Sequence, residues 1–185
     1  MASRVSIANE ALIKLGVSTI TSLTENSEQA RLVNNIFSES LDYLLERYPW
    51  SFAKEQSSLA RLDETPLYDY TYVYQLPTDP FCLHVVEVED DYPFMKKGNT
   101  LYSDQSAMNI TYIKRITSML DLSPLFRSAF SFYLASQLAM PLVNDREVAT
   151  LMKDEFNIAF LIARLMDAKN DPHKARSKVS WISRR

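Results

Sequence analysis

Four stretches of the sequence repeat apolar residues every three or four positions, the pattern of helices that bury one face. The clearest predicts a helix over Asn26–Tyr48, where Asn26 and Gln29 have the spacing of a capping box and Pro49 cannot continue the helix. Its apolar positions are Ala30, Val33, Phe37, Leu41, Leu44 and Tyr48. The other three helices are expected at Ser3–Leu15, Ser123–Met140 and Asp145–Lys169.

Local signals predict where the last two helices begin and end. Ser123 followed by Pro124 is the favoured arrangement at a helix N-terminus. Pro141 is expected to end that helix, because proline has no N–H to donate. Asn144 and Glu147 have the spacing of a second capping box, which would start the final helix.

Between the second and third helices the apolar period changes from helical to alternating. Tyrosines alternate with other residues over Tyr68–Gln75, which predicts a strand. Further strands are expected at Phe81–Glu89 and Met108–Arg115, with a hairpin turning near Gly98 and Asn99 between them. The segment carrying Leu59 and Leu62 is expected to be extended.

The β block separates two pairs of helices that can cover their apolar stripes only by packing on each other. The sequence therefore predicts an α+β fold: an antiparallel helical bundle of about four helices, an inserted antiparallel β-rich subdomain, and an extended basic C-terminal tail. The predicted divisions are residues 1–53 and 119–171 for the bundle, 54–118 for the insertion and 172–185 for the tail.

Composition excludes several classes of protein. With 185 residues and a net charge of −3, the chain has enough residues for a core but not the charge of a polyanion binder. Its single cysteine, Cys82, rules out an internal disulfide framework. Gly16 and Gly98 are the only glycines, so no Gly-rich phosphate loop is expected, and Gly16 has the position of a helix C′ residue. No membrane span or signal peptide is apparent, so we expect a soluble protein made in a reducing cytoplasm.

Candidate catalytic chemistry is sparse, so we expect no enzyme, metal site or cofactor. His84 in a strand is interpreted as structural, and Cys82 as a small buried apolar residue. An acidic cluster is expected in a solvated turn; it consists of Glu87, Glu89, Asp90 and Asp91. The alternative function is a protein active on glycans or cell walls, in which two of these carboxylates would face each other across a cleft.

Two further features allow two interpretations each. The alternating tyrosines could stack on sugars or bases, or could pack against a helix with their hydroxyls at polar rims. Lys96 and Lys97, at the predicted hairpin tip, could be a solubilising loop or could contact an acidic partner.

The stretch Pro172–Arg185, after the last predicted helix, is basic. It holds five Lys or Arg residues and no acid, and removing those five from the 20 basic residues leaves 15 against 23 acidic residues. Apolar anchors among the charges favour a segment that docks on a partner over an inert end, with a salt-dependent nucleic-acid-binding module as a third interpretation. The predicted partner-binding residues are Lys174, Arg176, Lys178, Trp181, Ile182, Arg184 and Arg185.

Several segments together resemble the tail tubular protein A family, the head-to-tail adaptors or gatekeepers of short-tailed, T7-like bacteriophages. The resemblance reaches from the N-terminal helix to about Asp171 and also includes the polar connector, the long second helix and the final pair of helices. The motifs are Asn9–Gly16, YPWSFA (Tyr48–Ala53), YQLPTD (Tyr74–Asp79), KGNTLYSD (Lys97–Asp104) and ITYIKRI (Ile110–Ile116).

This resemblance implies a structural protein of the virion, assembled in the host cytoplasm and located at the head–tail junction. It would form a dodecameric ring between the portal and the nozzle, a tail tubular protein B-like partner, and would line the channel through which DNA leaves. The family also implies a role in holding tail fibres or tailspikes, transient contact with genomic DNA and no membrane contact. The isolated protein is expected to be monomeric or weakly associated, with the portal as template.

Overall fold

The computed structural model describes residues 2–66 and 69–170, and this part of the chain has an α+β fold. Its helices are α1 (Arg4–Lys14), α2 (Glu28–Glu46), α3 (Pro124–Val143) and α4 (Arg146–Asn170). Its strands are β1 (Lys54–Ser58), β2 (Ala60–Leu62), β3 (Tyr72–Gln75), β4 (Cys82–Val88), β5 (Met95–Lys97), β6 (Thr100–Ser103) and β7 (Asn109–Lys114). The predicted four helices with an inserted antiparallel β region are therefore confirmed, while the predicted tail, 172–185, lies outside the described residues.

The described chain divides into two compact units. The helical unit contains residues 2–44, 50–52 and 116–170, and the β unit contains residues 45–49, 53–66 and 69–115. None of the helices in the described ranges combines the length and the apolar content that a bilayer crossing requires.

The ends of α1 confirm both predicted signals. The Ser3 hydroxyl accepts a hydrogen bond from the N–H of Ser6, and Gly16 adopts a φ of 70°. The N–H of Gly16 donates to the Ile13 carbonyl and the N–H of Val17 to the Leu12 carbonyl, which is the Schellman arrangement. Glycine reaches this left-handed conformation without the steric cost that a Cβ imposes.

Both predicted capping boxes were wrong by one residue. For α2, the hydroxyl of Ser27 rather than the side chain of Asn26 accepts from a helix N–H, that of Ala30 at 3.2 Å. For α4, Asn144 does not serve as the N-cap because it is already the C-cap of α3, in the left-handed conformation with a φ of 54°. The carboxylate of Asp145 therefore caps α4, accepting from the N–H of Glu147 at 2.8 Å.

The expectation that Pro141 ends α3 was also wrong, because the helix continues to Val143. Proline at this position removes one backbone donor in the last turn. The turn is retained because the N–H of Asn144 donates to the carbonyls of Ala139 and Met140, both at 3.1 Å.

Aromatic side chains form much of the core of the helical unit. Phe37 of α2 meets Phe130 of α3 edge to face, with ring centroids 5.0 Å apart. Tyr133 of α3 and Phe156 of α4 have centroids 5.1 Å apart. Because α3 and α4 are joined by two residues, they form an antiparallel helical hairpin.

The β unit contains two antiparallel sheets with strand orders β1-β7-β4 and β2-β3-β6-β5. The hairpin prediction is confirmed: Lys97 pairs with Thr100 around a two-residue turn in which Gly98 has a φ of 56°. The strand predicted over Tyr68–Gln75 was too long, since β3 begins only at Tyr72. Before that point the Asp104 carboxylate accepts from the N–H and the hydroxyl of Thr71, both at 2.9 Å, and so replaces the strand ladder.

Candidate interaction surfaces

The seven residues predicted to bind a partner lie outside the described residues, so their surroundings are not part of the structure. They are Lys174, Arg176, Lys178, Trp181, Ile182, Arg184 and Arg185. Other surfaces that chemistry or assembly could use lie within the described residues.

The acidic cluster lies at the end of β4, and all four of its carboxylates are exposed. Asp90 and Asp91 have positive φ values of 58° and 51°, so the chain turns sharply here. The Asn109 amide donates to the Glu89 carboxylate. An exposed turn lacks the enclosed pair of carboxylates, one of them kept protonated, that glycoside hydrolysis uses. Within the described ranges no group of His, Cys, Asp and Glu side chains could hold a metal ion.

Cys82 and His84 share β4 but have opposite environments. Cys82 is buried, as predicted, and burial raises the pKa of its thiol above the usual value. His84 is exposed in the strand, opposite Ile113 of β7. A thiol kept protonated by burial is a poor nucleophile.

The tyrosines of the predicted ladder do not share one environment. Tyr74 is buried in the core of the β unit, and its hydroxyl donates to the carbonyl of Gln105. Tyr72 is half-buried, with the Arg61 guanidinium 4.1 Å from its ring centroid. Tyr68 lies outside the described residues. The interpretation of four tyrosines packed on a helix was wrong for Tyr74, which packs among the strands of its own unit instead.

Lys96 and Lys97 are both exposed in β5, beside the hairpin turn. The Lys96 ammonium donates to the Leu83 carbonyl at 3.2 Å, so it links β5 to β4. Lys96 therefore has a structural bond in addition to the solubilising role expected at a hairpin tip.

The least ordinary surface of the described chain is on α4. This helix buries one apolar side, which carries Met152, Phe156, Phe160 and Ala163. A second set of large apolar side chains is exposed, each between 44% and 57%: Leu151, Ile158, Leu161, Ile162, Leu165 and Met166. We call this second set the outer face of α4. At about 100° per residue, its centre lies roughly opposite the buried side.

The outer face has a regular sequence pattern and a charged end. Leu151, Ile158 and Leu165 are seven residues apart, so they lie along one line of the helix. Asp154 and Glu155 lie beside this line near its N-terminal end. A shallow hollow there is lined by Arg146, Glu147, Thr150, Leu151 and Asp154.

Sequence reasoning missed the outer face because it followed a single apolar stripe. That stripe was Val148, Met152, Phe156, Ala159, Phe160, Ala163 and Met166, and its inclusion of Met166 was wrong because Met166 is exposed. The seven-residue spacing of Leu151, Ile158 and Leu165 was the available signal. Spacing alone does not show which of two apolar stripes faces the core, so the exposure of the outer face is known only from the structure.

Neither a scan against protein-family models nor a search of curated proteins found a match for the chain.

Proposed function

We propose that this protein is a virion structural protein, the adaptor ring that joins the portal to the tail nozzle of a short-tailed bacteriophage. The ring consists of copies of this chain, lines the DNA exit channel and can also hold tail fibres. The segment with Trp181 and its basic neighbours attaches to the portal or to an adjacent subunit.

The outer face of α4 is the observation that carries this proposal. An exposed apolar helix side favours association, because covering it removes apolar surface from water. The bundle covers one side, and an exposed apolar patch of this kind marks an interaction site on a soluble protein. A ring of identical subunits supplies the missing cover by placing a neighbour against α4.

The motifs behind the family resemblance have structural reasons to be there. The Asn9 amide accepts from the N–H of Ile20 and donates to its carbonyl, both at 2.8 Å, and so ties the polar connector to α1. In the YPWSFA motif, Trp50 is fully buried and Ser51 donates to Asp167 through its N–H at 2.9 Å and its hydroxyl at 2.6 Å. These residues set the path of the chain into and out of α2.

Charge supports the same proposal. Outside the basic segment the chain has 15 basic and 23 acidic residues, so the ring would be largely acidic. An acidic channel repels the phosphate backbone and lets DNA slide, whereas a basic channel would bind it.

The test is to mix the purified chain with the portal protein of the same phage and to image the product by negative-stain electron microscopy. An added ring on the portal is expected for the full chain, and none for a chain lacking residues 172–185. Arg31→Glu is the control, because it reverses an exposed charge on α2, distant in sequence from residues 172–185, and should leave ring addition unchanged. Failure of the full chain to join portal rings, seen also by sedimentation, would refute the proposal.

A further inference from the structure

We propose that in the isolated protein the outer face of α4 is the docking site for residues 179–185 of the same chain. The docking itself does not depend on the proposed function; only its consequence for ring assembly does.

The composition of the two surfaces is complementary. The outer face offers six large aliphatic or thioether side chains, with Asp154 and Glu155 near one end. The segment offers Val179, Trp181 and Ile182, followed by Arg184 and Arg185. Along the segment, apolar residues come first and basic residues follow. Along the helix, read from its C-terminal end, most of the apolar residues come first and the acidic residues follow, so the two orders match.

The connecting chain is long enough to make this contact. Trp181 is eleven residues beyond Asn170, the last residue of α4, and an extended chain spans about 3.3 Å per residue, or roughly 36 Å here. Leu161 lies nine residues before Asn170, which is about 14 Å along the helix. The segment can therefore reverse direction after α4 and return along the outer face with several residues to spare.

The distances also fix a register. With Trp181 over Leu161, Val179 lies about 7 Å back along an extended segment, and Leu165 lies about 6 Å back along the helix. In the other direction, Arg185, which in an extended segment faces the same side as Trp181, lies about 13 Å on, and its long side chain can reach Asp154, which is about 10 Å from Leu161. One register thus pairs apolar with apolar and basic with acidic side chains.

Because the segment is covalently joined to α4, docking on its own helix is favoured over docking on the α4 of a second copy. A connection of eight residues, 171–178, gives the segment an effective concentration in the millimolar range at its own helix. A free second copy would need a comparable concentration to compete. The isolated chain thus stays monomeric, and a portal that binds the segment uncovers the outer face for a neighbouring subunit.

Trp181 is the probe for the experiment, because the other tryptophan, Trp50, is fully buried and gives a constant background. Acrylamide quenching of the full chain, minus that of a Trp181→Phe chain, reports the accessibility of Trp181. The free peptide 172–185 supplies the value for an undocked tryptophan. Trp181 in the full chain should be clearly less quenched than in the peptide, and equally so at low and high protein concentration.

Substitutions on the helix then locate the site. Leu161→Ser with Leu165→Ser removes two side chains that are 53% and 57% exposed, so the fold should persist, as far-ultraviolet circular dichroism can check. The docking equilibrium constant should fall on the order of 30-fold, and Trp181 should approach the quenching of the peptide. Ile13→Ser is the matched control, since Ile13 is an exposed apolar residue of α1 at 64% and should leave quenching unchanged.

Three results would overturn the inference. Quenching of Trp181 in the full chain equal to that of the peptide would show that nothing covers it. Protection that grows with protein concentration would assign the face to a second copy. Protection that survives the double substitution would place the docking site elsewhere. A portal that still fails to bind the protein would refute the proposed function and leave the quenching result standing.

Discussion

Replacing Trp50 by alanine should be among the most destabilising single changes in the helical unit. The side chain is fully buried, and its rings lie 4.9 Å from Phe126 and 5.5 Å from Phe160, centroid to centroid. Its indole N–H donates to the Leu44 carbonyl at 3.0 Å. Truncating a buried aromatic to alanine costs about 3–5 kcal/mol, and we expect Trp50→Ala to fall in this range.

A second substitution separates packing from hydrogen bonding. Trp50→Phe keeps most of the aromatic contacts but removes the N–H donor, which should cost about 1–2 kcal/mol. Phe94→Ala provides the control, because Phe94 is an aromatic residue of the β unit that is 40% exposed. Its removal should change the free energy of unfolding by less than about 0.5 kcal/mol.

Urea denaturation followed by circular dichroism at a helix band measures these differences, since tryptophan fluorescence would lose Trp50, the buried one of the two tryptophans. The slope of the free energy of unfolding against urea concentration, the m value, must be equal in the variants before their midpoints are compared. A changed m value signals a different unfolding reaction. A loss below about 1 kcal/mol for Trp50→Ala would contradict a buried packing role. A Trp50→Phe loss as large as that of Trp50→Ala would show that the indole N–H and the extra ring volume, rather than the phenyl-sized part of the contact, dominate.

Three further changes test individual contacts. Asp167→Ala leaves the N–H and hydroxyl of Ser51 without their acceptor and should lower the free energy of unfolding by about 1.5–3 kcal/mol. Ser51→Ala should lower it less, and thermal denaturation of the two variants compares them. Hydrogen bonds from the hydroxyl and N–H of Thr21 hold the pKa of Glu25 at about 2, below its usual 4.5. Because the folded-state pKa is lowered, the Glu25 carboxylate stabilises the fold above about pH 4.5, and this stabilisation is lost as the pH falls toward 2. A Glu25→Gln chain should therefore show a smaller drop in melting temperature over that pH range than the unchanged chain. An equal drop would contradict this. Gly16→Ala places a Cβ at a φ of 70° and should lower the free energy of unfolding by about 1 kcal/mol in a denaturant titration, while Gly16→Asn should lower it less. No loss of stability in either variant would contradict backbone strain at this position.

Much of this fold could be predicted from sequence because the decisive signals are local. The helical period of α2, the Ser3 cap and the αL position of Gly16 depend on residues within one or two turns. The family resemblance also rests on contiguous motifs. Its functional meaning remains a prediction, since the residues expected to bind the portal lie outside the described part of the chain.

Errors arose where two neighbouring residues could serve one role. Asn26 and Ser27 are both good caps, and Ser27 was selected by the Glu25 carboxylate, which accepts from its hydroxyl at 2.8 Å. Asn144 was unavailable to α4 because α3 already used it. In β3, the side chain of Asp104 ended the strand from a distant part of the sequence. Such choices depend on competition between hydrogen-bond partners, which a single-sequence pattern does not contain.

The sequence by itself determined the α+β class, the order of the elements and the apolar positions of each helix, because periodicity and capping act over a few residues. Only the tertiary structure decided which of the two apolar sides of α4 is buried. Phe156 and Phe160 pack against aromatic residues far away in the chain, whereas Ile158 and Leu165 have no comparable cover and are exposed. The physical reason is that hydrophobic burial is non-directional and depends on which surfaces meet in space, a property that no local spacing encodes.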